Sequence, residues 1–112
     1  MSTHFNQYII AGIKLPYPDN DDFYEKYESF EDNGYKTTIK TGLTMLFDGM
    51  CGNYVIIGKV LKKSEIDMPF DEDIIEIPQI TPSVKKHIIT EINKHFDIEY
   101  KPIKIYIVTH WH

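Results

Sequence analysis

The segment Tyr8-Ile9-Ile10-Ala11-Gly12 recurs with conservative changes as Tyr54-Val55-Ile56-Ile57-Gly58. Both copies are rich in β-branched residues and have the length of a short strand. Each is followed by a candidate helix and then by a second apolar run, so the repeat predicts two strand-helix-strand units. Two such units interlock as β-α-β-β-α-β, with the first and third strands in the centre of a four-stranded antiparallel sheet. The sequence therefore predicts a ferredoxin-like α+β sandwich with both helices on one face of the sheet.

Apolar runs and turn residues place the other elements around this repeat. We predict strands over 5–15, 43–47, 54–61 and 103–111. A first helix is expected from a cap at Asn20 or Asp21 to a stop at Asn33-Gly34. A second helix is expected to begin at Pro82, because Thr81 can cap it and proline loses no hydrogen bond at the first helical position. The apolar face of this second helix comprises Val84, Ile88, Ile89, Ile92 and Phe96.

Two connections stand out between these elements. The glycines of 48–53 favour a hairpin loop between the second and third strands. The stretch 62–82 is acidic and interrupted by prolines, so we expect a long acidic loop there, with 74–77 as a short extra edge strand. Both faces of the two central strands are largely apolar, and Gly12 and Gly58 add to the ambiguity, so the pattern leaves open which face is buried.

The size and composition of the chain fit a single domain over residues 1–112. Of its 112 residues, 42% are hydrophobic and 26% are charged, which is enough for one packed core. We expect a cytoplasmic protein, since no export signal is recognisable and no run approaches the roughly 20 apolar residues that cross a bilayer. Cys51 is the only cysteine, which fits a reducing compartment. Nothing near it in the sequence would activate its thiol as a nucleophile.

The basic residues argue against nucleic-acid binding. All 12 are lysines and the formal net charge is -5, so the planar arginine fork that grips phosphate is missing. Tyr8 and Tyr54 occupy positions that resemble the stacking aromatics of an RNA recognition motif, but the basic-glycine-aromatic pattern of its third strand is absent. We therefore expect no direct nucleic-acid binding. The lysine, isoleucine and asparagine usage predicts an AT-rich bacterium, or a phage of such a host, as the source.

Three histidines form the strongest candidate for a metal site. His110 and His112 project to the same side of the last predicted strand, roughly 7 Å apart. That strand is expected to lie antiparallel to the first, which would bring His4 near them. Three imidazoles with an open fourth position can bind zinc or a similar divalent metal and acidify a water molecule. The alternative interpretation is a solvated chain terminus, because no HExxH pattern or acidic ligand accompanies the histidines.

Carboxylates are concentrated in two segments of the chain. The candidate protein-binding residues are Asp21, Asp22, Glu25, Glu28, Glu31 and Asp32 on the first predicted helix and Asp71, Glu72 and Asp73 in the long loop. Regularly spaced negative charge can bind a basic protein by complementarity. The alternative is a solvated helix face and a solubilising loop.

Two classes of function follow from these observations. The leading expectation is a small, acidic, non-enzymatic interaction protein of phage origin. It would bind and modulate a basic, nucleic-acid-handling host protein through its acidic surface or its open sheet face, and it would need no cofactor. An apolar open face, with Tyr106 and Val108, also predicts a homo-oligomer. The opposing hypothesis is a metal-dependent hydrolase or a ligand-binding domain with the histidine site at the last strand.

Overall fold

The computed structural model describes residues 4–15, 42–48, 53–95 and 102–111. In these ranges the elements are β1 (Phe5–Leu15), β2 (Thr44–Phe47), β3 (Val55–Lys63), α1 (Pro82–His95) and β4 (Lys104–Trp111). The four predicted strands and the second predicted helix are confirmed, with small changes at their ends. The α+β class is therefore confirmed as well.

The four strands form one antiparallel sheet with the order β2-β3-β1-β4. The predicted central position of β1 and β3 is found, and β4 pairs with β1 as expected. Because β3 and β4 both run antiparallel to β1, they are parallel to each other and form a split unit with α1 between them. The complete ferredoxin-like arrangement is not confirmed, since the first predicted helix lies outside the described residues.

The helix α1 begins at the predicted cap. The backbone amide of Val84 donates to the Thr81 hydroxyl at 3.2 Å, which satisfies one of the free donors of the first turn. Ile88 and Ile92 are fully buried against the sheet, and each such side chain contributes about 1.5–3 kcal/mol through removal from water. We call this side of the sheet the helix face. Its core consists of Ala11, Ile13, Leu15, Leu43, Met45, Phe47, Val55 and Ile57.

The opposite face is buried at its centre, so the expectation of an open sheet face is wrong there. Ile10 and Ile56 on this face are 0% and 4% exposed, and they cluster with Tyr8 and Leu46. Tyr54, Val60, Tyr106 and Val108 pack against this cluster and are partly buried. These residues form a second apolar cluster on the side of the sheet opposite the helix face.

A hydrogen bond between Tyr54 and His110 shows how far the sheet curves. Tyr54 adjoins Val55, which pairs with Leu15, whereas His110 pairs with Asn6. If β1 were straight, the positions of Leu15 and Asn6 along it would lie roughly 30 Å apart. The Tyr54 hydroxyl nevertheless lies 2.8 Å from His110 Nδ1. The sheet therefore coils until two distant parts of one face meet, and we call this the concave face.

The curvature is located at two facing glycines and a bulge. Gly12 pairs with Gly58, and a Cβ atom added to Gly12 would lie 2.7 Å from the Gly58 Cα and closer still to the Ile57 carbonyl oxygen. Gly58 is equally crowded by the Ala11 backbone. The register also shifts between Ile9 and Ile10, a β-bulge that adds twist. Glycines and bulges are the usual means of bending a sheet, because backbones can approach there without side chains between them.

The connections differ in part from the sequence predictions. The hairpin between β2 and β3 is confirmed by a hydrogen bond of 3.0 Å from the Asp48 amide to the Tyr54 carbonyl. The irregular acidic segment spans 64–81, because β3 continues to Lys63. The predicted edge strand over 74–77 is wrong: these residues are irregular, and the Ile74 side chain is 86% exposed, with no neighbouring strand to bury it.

We predict that the paired glycines tolerate no side chain. Gly12→Ala and Gly58→Ala should each lower the free energy of unfolding by about 1–3 kcal/mol, because the new methyl group overlaps the neighbouring backbone. Urea unfolding monitored by circular dichroism measures this loss. Lys59→Ala is the matched control, since Lys59 adjoins Gly58 and is exposed. Equal midpoints for all three variants would contradict the proposed role of the glycine pair.

Candidate functional site

The buried histidine of β4 forms the floor of the concave face. His110 is only 5% exposed and lies edge-on to the rings of Tyr8 and Tyr54, with centroids at 6.0 and 5.9 Å. Its Nδ1 is engaged by the Tyr54 hydroxyl. A buried imidazole is tolerated when its polar atoms are hydrogen-bonded, and here the partner also fixes the orientation of the ring. His110 is therefore a positioned polar group within an apolar cluster.

A second buried polar side chain lies directly across the sheet from His110. Asn6 is the cross-strand partner of His110 and is also buried. Its Nδ2 donates to the Ser64 carbonyl at 2.9 Å. The concave face thus places an amide and an imidazole next to each other, held by Tyr54 just before β3 and Ser64 just after it.

These residues line a cavity of about 800 Å³ that opens to solvent. The lining comprises Asn6, Tyr8, Lys63, Glu65, Ile66 and His110, together with Ser64 and the β2 residues 44–46. The Lys63 ammonium lies 5.6 Å from the centroid of the Tyr8 ring, within the range of a cation-π interaction. Among the described lining residues, Lys63, Glu65 and Ile66 are exposed, whereas Asn6, Tyr8, Met45, Leu46 and His110 are buried.

The acidic segment after β3 is anchored along the first half of β1. The Ser64 amide donates to the Gln7 carbonyl at 2.9 Å, and the Gln7 amide donates to the Ser64 hydroxyl at 2.7 Å. Farther on, the Phe70 amide donates to the Gln7 side-chain oxygen at 2.7 Å. Lys62 extends this anchoring, because its ammonium lies 2.6 Å from Glu72 and 5.6 Å from the Phe70 ring centroid. The segment is irregular but fixed to the sheet.

Asp67 is the central anchor of this segment. It takes a left-handed backbone conformation with φ of 59°. One carboxylate oxygen accepts from the Phe5 amide at 3.1 Å, and the other accepts from His4 Nδ1 at 2.8 Å. The Asp67 amide in turn donates to the Phe5 carbonyl at 2.7 Å. Aspartate is one of the few residues that adopts this conformation readily, so its side chain and its backbone serve the same turn.

The predicted metal ligands have separate partners where the structure describes them. His4 binds Asp67 and His110 binds Tyr54, while His112 lies outside the described residues. In the ranges with assigned structure, no group of three histidine, cysteine or acidic side chains is arranged to bind a metal ion. The three-histidine zinc site therefore stays a prediction.

The predicted acidic surface is described only in its second half. Asp21, Asp22, Glu25, Glu28, Glu31 and Asp32 lie outside the described residues, as does Cys51. Asp71, Glu72 and Asp73 are exposed. A hydrogen bond from Lys62 holds the pKa of Glu72 below its usual value, and the positive charge of Lys62 acts in the same direction. Glu72 thus has a partner within the chain, which favours a structural role for it over partner recognition.

An exposed apolar row lies on β4 and was not identified from the sequence. Ile105, Ile107 and Trp111 are 43%, 68% and 44% exposed. Their cross-strand partners are Ala11, Ile9 and Phe5, so the row belongs to the helix face, to the side of α1. The sequence does contain a signal for this row, because large apolar residues occupy both the odd-numbered and the even-numbered positions of β4. Apolar side chains must therefore lie on both faces of the strand.

Comparison with known proteins gives no relative: no family model, curated protein or solved structure matches the chain. Among the described helices, none is long and apolar enough to cross a membrane. The function must therefore be argued from the concave cavity and the β4 row.

We predict that the Tyr54 hydroxyl stabilises the coiled sheet. Tyr54→Phe should lower the free energy of unfolding by about 1–3 kcal/mol, because it leaves the buried imidazole of His110 without this partner. Thermal unfolding measures the effect. Tyr106→Phe, which removes a hydroxyl from another tyrosine of the same cluster, is the control. An equal effect of both substitutions would mean that the Tyr54–His110 bond has no specific role.

A further prediction concerns Asp67. Asp67→Ala should cost about 1–2 kcal/mol in chemical unfolding, because it removes two accepted hydrogen bonds and places alanine in the left-handed region. Asp67→Gly removes the same bonds without the conformational cost, so its stability should lie between those of wild type and Asp67→Ala. Wild-type stability of Asp67→Ala would show that the segment is not anchored by this residue.

Proposed function

We propose that this chain is a non-enzymatic interaction protein that binds another protein chain along β4. The observation that carries the proposal is the exposed row of Ile105, Ile107 and Trp111. Ile105 and Ile107 are neighbours on one face of β4, and Trp111 lies on the same face beyond Thr109. Exposed apolar side chains grouped on one face mark protein interaction sites. Trp111 is the expected anchor, since tryptophan is enriched among the residues that dominate binding energy.

The position of β4 in the sheet supports this proposal. β4 is at the end of the strand order in the described part of the chain and pairs there with β1 on one side. Lys104 is the only lysine or acidic residue of β4, and it stands at the first position. Exposed edge strands are usually protected by inward charges, prolines or bulges. A strand without that protection is suited to pair with a strand of a partner, in the mode called β-augmentation.

The ring contact at the end of the row adds a rigid element. Phe5 and Trp111 lie with centroids 4.9 Å apart. This contact holds the indole against the neighbouring strand and reduces the entropy that Trp111 would lose on binding. The partner would therefore meet a preformed apolar surface.

The charge of the chain bears on the class of partner. The net charge of -5 favours a basic protein, because complementary charge speeds encounter and excludes other acidic proteins. A second copy of the chain is a further candidate, since two β4 strands can pair antiparallel about a twofold axis. The phage origin and a nucleic-acid-handling host partner stay predictions from composition. We also propose that the whole chain completes the ferredoxin-like arrangement with a helix over 21–34.

The experiment compares two isoleucine-to-glutamate variants. Ile107→Glu places a charge in the middle of the row, whereas Ile74→Glu makes the same change at an exposed isoleucine outside the sheet. Affinity capture from lysate with wild-type bait should yield a protein that Ile74→Glu also retains and Ile107→Glu loses. If the partner is a second copy of the chain, sedimentation velocity should show a dimer for wild type and for Ile74→Glu and a monomer for Ile107→Glu.

One result would overturn the proposal. If wild type is monomeric and captures nothing that Ile107→Glu fails to capture, then β4 is not a docking surface. Both variants must keep the wild-type circular dichroism spectrum, which is expected because both substituted side chains are exposed.

A further inference from the structure

We propose that residues 73–77, here called the docking segment, add as a strand to the open sheet edge of a basic protein. Their sequence, Asp73-Ile74-Ile75-Glu76-Ile77, predicts a short strand, because isoleucine favours the extended conformation. The structure shows these residues as irregular, with no neighbouring strand. A partner would supply that neighbour. The docking segment is a different part of the chain from the β4 row, so the two proposals can fail separately.

The isoleucines of the docking segment are open to a partner. Ile74 and Ile77 are 86% and 41% exposed, and Ile75 is half-buried. In an extended chain Ile75 and Ile77 point to one side and Ile74 points to the other. A sheet edge that paired with this segment would therefore cover apolar side chains on both of its faces, and their removal from water favours binding.

The backbone of the docking segment is also available for pairing. Residues 73–77 form no backbone hydrogen bond with the rest of the described chain. Pro78 follows them and ends the pairing, because proline has no amide donor, and it favours an extended conformation at Ile77. Strand addition uses such main-chain groups for affinity and alternate side chains for specificity.

The residues on either side of the docking segment are fixed to the rest of the molecule. Before it, Glu72 is held by the Lys62 ammonium at 2.6 Å. After it, Ile80 packs against the core of the helix face, and Thr81 caps α1. The segment is therefore presented at a defined place, and ordering it on a partner costs less entropy than ordering a free peptide.

The charges around the isoleucines select the class of partner. Asp71, Asp73 and Glu76 are exposed, and none of them forms an ion pair with another described residue. Lysine or arginine beside the edge of the partner's sheet would complement these carboxylates. A second copy of the chain, with its own net charge of -5, would be repelled, so the partner is a basic protein.

The experiment titrates the full, isotope-labelled chain with a cyclic β-hairpin peptide whose strands alternate lysine and valine. This hairpin is a preformed basic sheet edge, and we expect saturable nuclear magnetic resonance shifts at the amides of 73–77. A hairpin with glutamate in place of lysine should not bind. A lysine hairpin N-methylated along its open edge should bind at least about tenfold more weakly, the loss expected for two main-chain hydrogen bonds.

Matched substitutions locate the contact. Ile74→Ser should weaken binding of the lysine hairpin at least about fivefold, whereas Ile66→Ser, at an exposed isoleucine earlier in the acidic segment, should leave it unchanged. Glu76→Gln removes one charge and should weaken binding at most about fivefold. Glu76→Pro also removes an amide donor and should weaken binding at least about tenfold. All four variants should keep the wild-type circular dichroism spectrum, because the substituted side chains are exposed.

Three results would overturn the proposal. The first is the absence of saturable shifts at 73–77, or shifts confined to β4, which would support only the β4 surface. The second is equal binding of the N-methylated hairpin, or equal effects of Glu76→Gln and Glu76→Pro, because the contact would then be charge attraction without strand addition. The third is a dimer of the chain alone in sedimentation velocity that Ile74→Ser abolishes, because the partner would then be a second copy.

Discussion

The close approach of the Gly12 and Gly58 backbones is the constraint on which the rest of the structure depends. The side chains on a sheet normally separate its backbone from whatever packs on it. That separation limits how sharply the sheet can bend. Here the central strands meet at a point where neither has a Cβ atom, and a bulge lies two residues away. The sheet can therefore coil enough to bring Tyr54 into contact with His110.

Coiling gives the two faces different roles. On the concave face, Tyr8, Ile10 and Ile56 are buried together, and the polar pair of Asn6 and His110 is enclosed with them. On the helix face, α1 packs over the central strands and leaves the side chains of β4 in contact with water. One curvature thus produces a pocket on one side and an apolar edge on the other.

The described elements could be predicted from local signals in the sequence, whereas the contacts of the concave face join residues that are far apart in the chain. Strand runs and the Thr81 cap are local signals, so β1, β3, α1 and β4 could be read from a few adjacent residues. The bend depends on Gly12 lying opposite Gly58, which only the register shows. From the sequence, His110 was interpreted either as a metal ligand together with His4 and His112 or as part of a solvated chain terminus. Its burial comes from Tyr54, which is distant in the sequence and meets it only in the coiled sheet. Likewise Glu72 was a candidate protein-binding residue, yet it pairs with Lys62 on β3.

The bond between Tyr54 and His110 also bears on how the chain folds during synthesis. The ribosome delivers β1, β2 and β3 well before β4, and the hairpin of β2 and β3 can form early because its contacts are local. The concave cluster, in contrast, lacks Tyr106, Val108 and His110 until the last strand leaves the exit tunnel. A chain in which β4 is not yet paired would leave part of the surface of Ile10 and Ile56 uncovered, and partly built sheets of this kind are prone to aggregation. The concave cluster is therefore complete only once β4 has paired with β1.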